Sequence, residues 1–340
     1  MAIIVDIERL KHFESGLGQF CFHLINHFKA HNNINYYGPK DVSKYVSSES
    51  FIKSYPFLKL PSCKVWHAMH QDVKKFPRDK SVKKIITIHD LNYVHQRKGQ
   101  TKKINKYLKE LQHKIDLADK VVFISKYSLT DAQNFLNIPE SKIHIIYNGV
   151  ALQEVNPKKP KSIKTDQKFI FNINKFLPKK NLAPLIQSMN YISDEYTLIF
   201  AGDHHTQYGK ELLLLAKELG LESRITFLGK ISEEEKQWLY KNCSLFCFPS
   251  LLEGFGLPIV EAQHLGVKTL VSDKTAIPEV AGVASTYIKS FDPESLADQI
   301  TQCIEENYDP EIGYNNISRF SWAKAAGDYL KIYHELLEDA

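Results

Sequence analysis

Two glutamates eight residues apart, Glu253 and Glu261, frame the stretch of the 340-residue chain whose residue types bear most directly on chemistry. Between them stand Gly254, Phe255, Gly256 and Leu257, and Pro258 follows. The apolar run ending near Pro249 reads as a buried strand. Pro258 suits the start of a helix, where its missing N–H costs nothing. Gly254 and Gly256 let a ligand approach their amides closely, and the helix N-terminus adds partial positive charge, so the segment predicts an anion site. Glu261, read as lying in the first helical turn, is placed to accept hydrogen bonds from vicinal hydroxyls such as those of a ribose. Glu253 stands at the mouth of the loop, where a sugar could lie. A plain strand–turn–helix with an acid near its start carries the same glycines, so the glycines alone leave both readings open.

Three other places have residues of chemical interest. Gly16 and Gly18 follow the first strand and open a helix, but Cys21 fills the third glycine's place, so the full dinucleotide-binding pattern is absent. His89 ends the run Ile86-Thr87-Ile88, at the carboxyl edge of a strand, where α/β proteins place their sites. A histidine there can equally be capped or exposed. His67 and His70 are weaker candidates, since the chain has 14 histidines and most must be bystanders. Cys243 and Cys247 have no second Cys or His pair at zinc-ligand spacing nearby and read as packing residues.

Positioning these residues calls for strands and helices in alternation. Strand-length apolar runs at Ile3–Asp6, Ile34–Gly38, Lys64–His67, Lys84–His89, Lys120–Ser125 and Ile143–Tyr147 are interleaved with helical segments at Gly18–Lys29, Lys103–Leu117 and Ser128–Leu136. The strands are apolar on both faces, which predicts parallel sheets covered by helices on both sides. The alternation breaks at 155–167, where Asn156-Pro157-Lys158-Lys159-Pro160 reads as a linker. It restarts at Phe169–Ile173 and runs through Leu182–Met189, Tyr196–Gly202, Lys210–Leu219, Ile225–Leu228, Glu233–Tyr240, Leu245–Phe248, Pro258–Leu265, Thr269–Ser272 and Ser295–Glu305. It closes on a helix from Trp322 to Leu337. Two doubly wound sheets would then follow one another in a chain of this length.

Bulk properties agree with that plan. Hydrophobic residues make up 43% and charged residues 24%, a globular balance. No apolar run approaches the roughly 18 residues that a membrane span needs. Five scattered cysteines, an odd number, argue for reduced thiols and a cytoplasmic location. The net charge of +5 hides an asymmetry. Residues 1–150 carry 24 Lys and Arg against 13 Asp and Glu, a net +11, and residues 151–340 carry 20 against 26, a net −6. Part of the basic excess lies in Arg97, Lys98, Lys102, Lys103, Lys106, Lys109, Lys114 and Lys120. There Ile104, Leu108, Leu111 and Ile115 mark the apolar stripe of an amphipathic helix. Its lysines could simply be solvated, or could meet an anionic membrane. No recognised nucleic-acid-binding module is present.

Glu253 to Glu261 matches the Glu-x7-Glu signature within Glu-Gly-Phe-Gly-Leu-Pro, and the chain resembles the retaining glycosyltransferases of family 4, glycosyl transferases group 1, over nearly its whole length. The resemblance implies the GT-B fold: two Rossmann-like domains, an interdomain cleft and a C-terminal crossover helix. The domains then run 1–154 and 168–320, with the linker 155–167 between them and 321–340 packing back on the first. It also implies that Glu261 binds the donor ribose, that Glu253 contacts the transferred sugar, and that the Gly254–Leu257 amides hold sugar and phosphate. Asn174-Lys175 through Lys180-Asn181 resembles the Gly-Arg-x-x-x-x-Lys-Asn segment whose cations clamp the donor diphosphate, with Asn174 in place of Gly and Lys175 in place of Arg. Lysine offers a point charge without arginine's bidentate fork, which makes Lys180 the firmer expectation. Gly16 and Gly18 are implied to face the donor phosphate, and His89, within His-Asp-Leu, to lie near the transferred sugar.

No Asp-x-Asp occurs in the sequence, and the resemblance implies a metal-independent hexosyltransferase without a cofactor, acting on a nucleotide diphosphate sugar. The mannosyltransferase-like wording puts GDP-mannose ahead of a UDP-hexose, and a glycan or lipid-linked sugar would be the acceptor. A sugar-nucleotide epimerase, a sugar phosphorylase and a catalytically silent nucleotide-sugar-binding protein share the architecture and remain alternatives.

Overall fold

The computed structural model describes residues 2–13, 15–55, 59–163 and 168–339. The chain forms two compact units, Met1–Ala151 with Phe320–Ala340, and Leu152–Arg319.

Among the described residues of the first unit, seven strands form a wholly parallel sheet: β1 (Ile3–Asp6), β2 (Ile34–Gly38), β3 (Phe51–Lys53), β4 (Val65–Ala68), β5 (Lys83–Ile88), β6 (Lys120–Phe123) and β7 (Ile143–Ile145). Their order is β3-β2-β1-β4-β5-β6-β7. Helices α1 (Gly16–Phe28), α2 (Asn92–His95), α3 (Thr101–Leu117) and α4 (Lys126–Gln133) connect them. β1 is Ile-Ile-Val-Asp and buried throughout, as a central strand covered on both faces must be. Serine begins the helices where the chain needs an N-cap. Ser15 accepts from Gly18 N at α1, and Ser125 and Ser128 form a reciprocal capping box at α4.

The second unit holds six parallel strands in the order β10-β9-β8-β11-β12-β13: β8 (Lys168–Ile173), β9 (Tyr196–Ala201), β10 (Ile225–Phe227), β11 (Leu245–Phe248), β12 (Thr269–Val271) and β13 (Thr286–Tyr287). Its helices are α5 (Ala183–Ser188), α6 (Gln207–Glu218), α7 (Glu233–Asn242), α8 (Leu257–His264), α9 (Ile277–Ala281), α10 (Pro293–Glu305) and α11 (Pro310–Ile317). Alternate residues of the same strands feed two cores. Ile170, Leu198, Phe200, Leu245 and Cys247 enter one, while Phe169, Phe171, Ile199, Phe246 and Phe248 enter the other. Each fully buried phenylalanine contributes roughly 1.5–3 kcal/mol of hydrophobic stabilisation.

The last helix, α12 (Trp322–Glu338), belongs to the first unit. Its Tyr333 hydroxyl lies 2.6 Å from His67 Nδ1. His67 Nε2 is 2.9 Å from Thr87 Oγ1, which in turn is 2.9 Å from Tyr329 Oη. Burial pushes His67 down to about 3, so a neutral imidazole joins β4, β5 and α12. Trp322 N is so close to Gly149 that a Cβ there would meet it at 2.1 Å. The extended Asn148-Gly149-Val150 segment therefore packs against the start of α12.

The chain enters the second unit at Leu152 and leaves it after Arg319. The described part of the segment read as a linker, 155–163, lies along that unit. Lys158 N donates to Glu234 O at 3.1 Å, and Lys159 Nζ sits 5.8 Å from the Trp238 ring centroid. Residues 164–167 lie outside the described residues. No helix among the described residues is long and apolar enough to cross a membrane.

Candidate functional site

In the second sheet β8 pairs with β9 on one side and β11 on the other. The strand order reverses there, and α/β sheets place ligands beyond the carboxyl ends of such a pair of strands. Those ends lead into the 174–181 and 249–256 segments, which carry most of the predicted residues. Asn172 Nδ2 donates to Cys247 O at 2.7 Å and ties the two strands together. Asn174 Nδ2 donates to Asn172 Oδ1 at 3.2 Å. Asn174 lies outside the left-handed region, which explains why a side chain is tolerated where the resembled segment has glycine. The glycine that the crevice does require is Gly202, at φ 115°, where a Cβ would meet Asn174 O at 1.8 Å.

A 3-10 turn, Pro178–Lys180, presents Lys180 and ends on Asn181 in the left-handed conformation, φ 52°, which asparagine tolerates. Leu251 N donates to Lys179 O at 2.8 Å and fastens this turn to the 249–256 loop. Lys180 Nζ then donates to Glu253 Oε1, with both side chains 12% exposed, and Nζ lies 5.6 Å from the Phe248 ring centroid. Removing either partner of a largely buried pair of this kind strands a charge, at a cost on the order of 3–5 kcal/mol. Thr275 Oγ1 accepts from Glu253 N at 3.0 Å, with Thr275 itself left-handed at φ 56°. A β-branched residue held there is a genuine outlier, and strain of this kind clusters at functional sites. Lys175 is exposed.

Gly254, Phe255 and Gly256 are buried, and Gly256, φ 103°, is the N-cap of α8. The helix starts at Leu257 and not at Pro258, so Glu261 stands at the fifth position. It lies at the opening of the second turn, a correction to the first-turn reading. Its carboxylate is already engaged. Oε1 lies 3.0 Å from Lys236 Nζ, and Oε2 accepts from the Tyr240 hydroxyl at 3.2 Å. Lys236 also pairs with Glu233 at 2.9 Å. Burial works against the Lys236 charge, but the carboxylates of Glu261 and Glu233 outweigh it and hold its pKa above the usual lysine value.

In the first unit a 3-10 turn, Glu8–His12, intervenes between β1 and α1, and Gly16 and Gly18 already lie inside the helix. The two glycines open the helix as read from the sequence, but it begins two residues earlier than the Gly18 start and is separated from the strand by that turn. Gly18 is required by packing, since a Cβ would meet His12 O at 2.3 Å. Its amide donates to Ser15 Oγ at 3.1 Å, so that donor is the helix's own cap. Gly16 has nothing within 4 Å of where a Cβ would stand. His89 directly follows β5 and is buried. Its Nε2 donates to Met69 O at 2.9 Å, and its amide donates to Gln71 Oε1 at 3.1 Å. A carbonyl only accepts, so the ring proton is on Nε2 and Nδ1 is the acceptor. Burial pushes His89 down to about 4, with the Met69 hydrogen bond opposing and Arg9 assisting, so it is neutral near pH 7. The Phe20 ring meets it edge-on with centroids 4.5 Å apart, which sets His89 against the first turns of α1. His70 Nδ1 accepts from Asp72 N at 2.9 Å and from Arg9 Nη2 at 3.2 Å.

Lys236, Tyr240 and Thr275 escaped the sequence reading. Lys236 and Tyr240 are one turn apart on α7, and nothing in their spacing reveals that this helix faces α8. A pocket of about 430 Å³ on the second unit is lined by Leu152 to Asn156, Gln237, Lys241, His264 and Leu265, and the predicted residues lie outside its walls. Among the described residues no group of three His, Cys, Asp or Glu is placed to hold a metal ion.

Residues 154–319 match the family described as Glycosyl transferases group 1, and residues 64–154 match Glycosyltransferase Family 4. The chain is similar to the serotype-specific mannosyltransferase WbdA of Escherichia coli, 28% identical over 244 residues. That match covers 66% of this chain but only 29% of WbdA, so the chain spans less than a third of that relative. It is also similar to the O-antigen chain mannosyltransferase B of Escherichia coli, 26% identical over 267 residues, covering 73% of this chain and 69% of that protein. Among solved structures, Anabaena Alr3699/HepE in complex with UDP and glucose superposes with a TM-score of 0.76 at 17% identity, covering 98% of this chain and 99% of the other. At that identity the likeness speaks for the fold.

Proposed function

We propose that this chain, a glycosyltransferase of the GT-B fold by the two family domains it carries, moves a sugar from a nucleoside diphosphate donor to a glycan or lipid-linked acceptor. The observation that carries this reading is the Lys180–Glu253 pair at the β8/β11 switch point, with Glu261 eight residues further on, at the opening of the second turn of α8. Lys180 and the 254–257 amides would meet the diphosphate, Glu261 the ribose and Glu253 the transferred sugar. Lys175, exposed nearby in sequence, would add a second, mobile cation. His89, neutral near pH 7, would offer a hydrogen-bond acceptor to the sugar and no charge.

The leaving diphosphate is stabilised in this reading by lysine, loop amides and the α8 dipole, without a metal ion. The absence of any Asp-x-Asp from the sequence supports it. The configuration at the anomeric carbon is retained. The acceptor hydroxyl approaches on the face that the diphosphate leaves. The bond from C1 to the phosphate oxygen breaks as the bond to the acceptor oxygen forms, and the hydroxyl proton passes to the departing phosphate. GDP-mannose is the favoured donor, because two similar proteins are named mannosyltransferases. A UDP-hexose is the second reading, because a structure of like fold holds UDP and glucose. The acceptor side is read as a lipid-linked glycan at an anionic surface, met by the exposed lysines of α3.

A thermal-shift screen of GDP-mannose, UDP-glucose and UDP-N-acetylglucosamine, followed by transfer assays in excess EDTA, tests this. A donor at 100 times its dissociation constant stabilises the protein by about 2.7 kcal/mol. A chain that none of the three stabilises would refute the donor reading. Transfer lost in EDTA and restored by manganese would refute the metal-independent step.

A further inference from the structure

Each acid of the Glu-x7-Glu pair carries its own lysine. Glu253 has Lys180 from the loop after β8, and Glu261 has Lys236 from α7. We propose that Lys236, together with Tyr240, is a positioning residue for donor recognition: it holds the Glu261 carboxylate in the one orientation that lets both oxygens accept a vicinal diol. The inference rests on the reading of Glu261 as the ribose acceptor.

A carboxylate has about four acceptor positions, two on each oxygen. Lys236 takes one on Oε1 and the Tyr240 hydroxyl one on Oε2, at 3.0 and 3.2 Å. One position is left on each oxygen, which is the demand of two adjacent hydroxyls. The two donors are themselves immobilised. Tyr240 is fully buried and shares its single hydroxyl proton between Glu261 Oε2 and Pro258 O, each at 3.2 Å, while Lys236 is also held by Glu233 at 2.9 Å. Spacing of four residues on α7 sets them one above the other along the face that meets α8. Lys236 also balances Glu261 electrically. An unpaired carboxylate beside a diphosphate would repel the ligand it is meant to hold, and the more strongly for being only 19% exposed.

The test compares GDP and UDP with their 2′,3′-dideoxy counterparts by calorimetry, in the wild type and in Glu261→Gln, Lys236→Met, Lys236→Arg and Tyr240→Phe. The readout is the ratio of the two dissociation constants, which reports the hydroxyls alone. The wild type should favour the ribonucleotide by roughly tenfold or more, the range of a hydrogen bond to a charged group. Glu261→Gln should bring the ratio to within about threefold of unity. Lys236→Met should lose most of the preference, Tyr240→Phe part of it, and Lys236→Arg should keep it. A wild type that does not distinguish the hydroxyls would refute the ribose reading itself. A wild-type ratio in Lys236→Met, even with both affinities lowered, would refute the positioning role while the ribose reading stands. If Lys236→Met does not fold, Tyr240→Phe decides by the same criterion, since it removes a single oxygen.

Discussion

Asp6 ends β1 at 5% exposure, and burial pushes its carboxyl up to about 7 against the hydrogen bond from Glu8 N at 2.9 Å and the nearby Arg9. The folded chain therefore keeps a proton between pH 4 and 7 that the unfolded chain releases. The contribution of Asp6 is complete below its unfolded value of 3.8 and is lost as pH rises through 7. Asp6→Asn preserves the oxygen that accepts from Glu8 N and removes the titration. Its stability relative to the wild type should rise from pH 5 to pH 8, by on the order of 2–4 kcal/mol. Guanidinium unfolding at the two pH values measures this, and an equal gap at both would count against it. His67 and His89 titrate in the opposite sense, since their lowered values make the unfolded chain take up protons as pH falls below about 6.5. Both proteins in the comparison carry them, so their effect cancels. Glu253 and His89 could be singled out as candidates because each is a polar side chain following the end of a strand, and Glu261 because it follows Pro258 at the start of a helix. Lys236 was not, because its meaning comes from the packing of α7 on α8, and Asp6 was not, because a strand-ending carboxylate gives no sign of its burial.

Strand β1 and the β8/β11 pair were readable because each is a short run apolar on both faces, and helix α12 because Ser321 precedes an apolar stripe at helical spacing. The three-residue β3 and two-residue β13 were not, since so few residues cannot establish a period. The start of α1 was misplaced by two residues. Ser15 supplies the cap, and two glycines of low helix propensity in the first turn hid where the helix begins. At α8 the decisive feature is a backbone angle. Gly256 at φ 103° turns the chain into the helix, and an added Cβ would also come within 3.2 Å of Ile259 Cδ1. Gly256→Ala should therefore cost about 1–3 kcal/mol and weaken nucleotide binding together, as the amides at the helix start move. Gly220→Ala is the comparison. Gly220 is also left-handed, φ 68°, but has nothing within 4 Å and follows α6. It should lose about 1–2 kcal/mol with donor affinity unchanged. Differential scanning calorimetry and donor titration on both variants separate the outcomes, and intact binding in Gly256→Ala would show that the loop tolerates a different path.

Taken whole, the molecule divides its charge, with a net +11 over residues 1–150 and −6 over 151–340. The structure narrows what that excess could do. In α3 the apolar stripe of Ile104, Leu108, Leu111 and Ile115 packs into the core of the first unit, as an ordinary amphipathic helix does. Lys114 donates to Gln71 O and Val73 O, Lys120 pairs with Glu335 at 3.5 Å, and Arg97 lies over the Tyr93 ring at 3.9 Å, so these three are occupied. Lys102, Lys103, Lys106 and Lys109 remain exposed along the helix. Four ammonium groups near an anionic surface, each worth roughly 1 kcal/mol, are enough for reversible attachment at low salt. At physiological ionic strength the Debye length falls to about 8 Å and the attraction shrinks with it. Sedimentation with anionic vesicles should therefore carry the protein down at low salt, less so at moderate salt, and not with neutral vesicles. Replacing the four lysines with glutamine should abolish the binding while leaving donor affinity intact, because none of the residues proposed to hold the donor is on α3. Equal and negligible sedimentation with both kinds of vesicle would end the membrane reading, and the lysines would then be a solvated face of the helix.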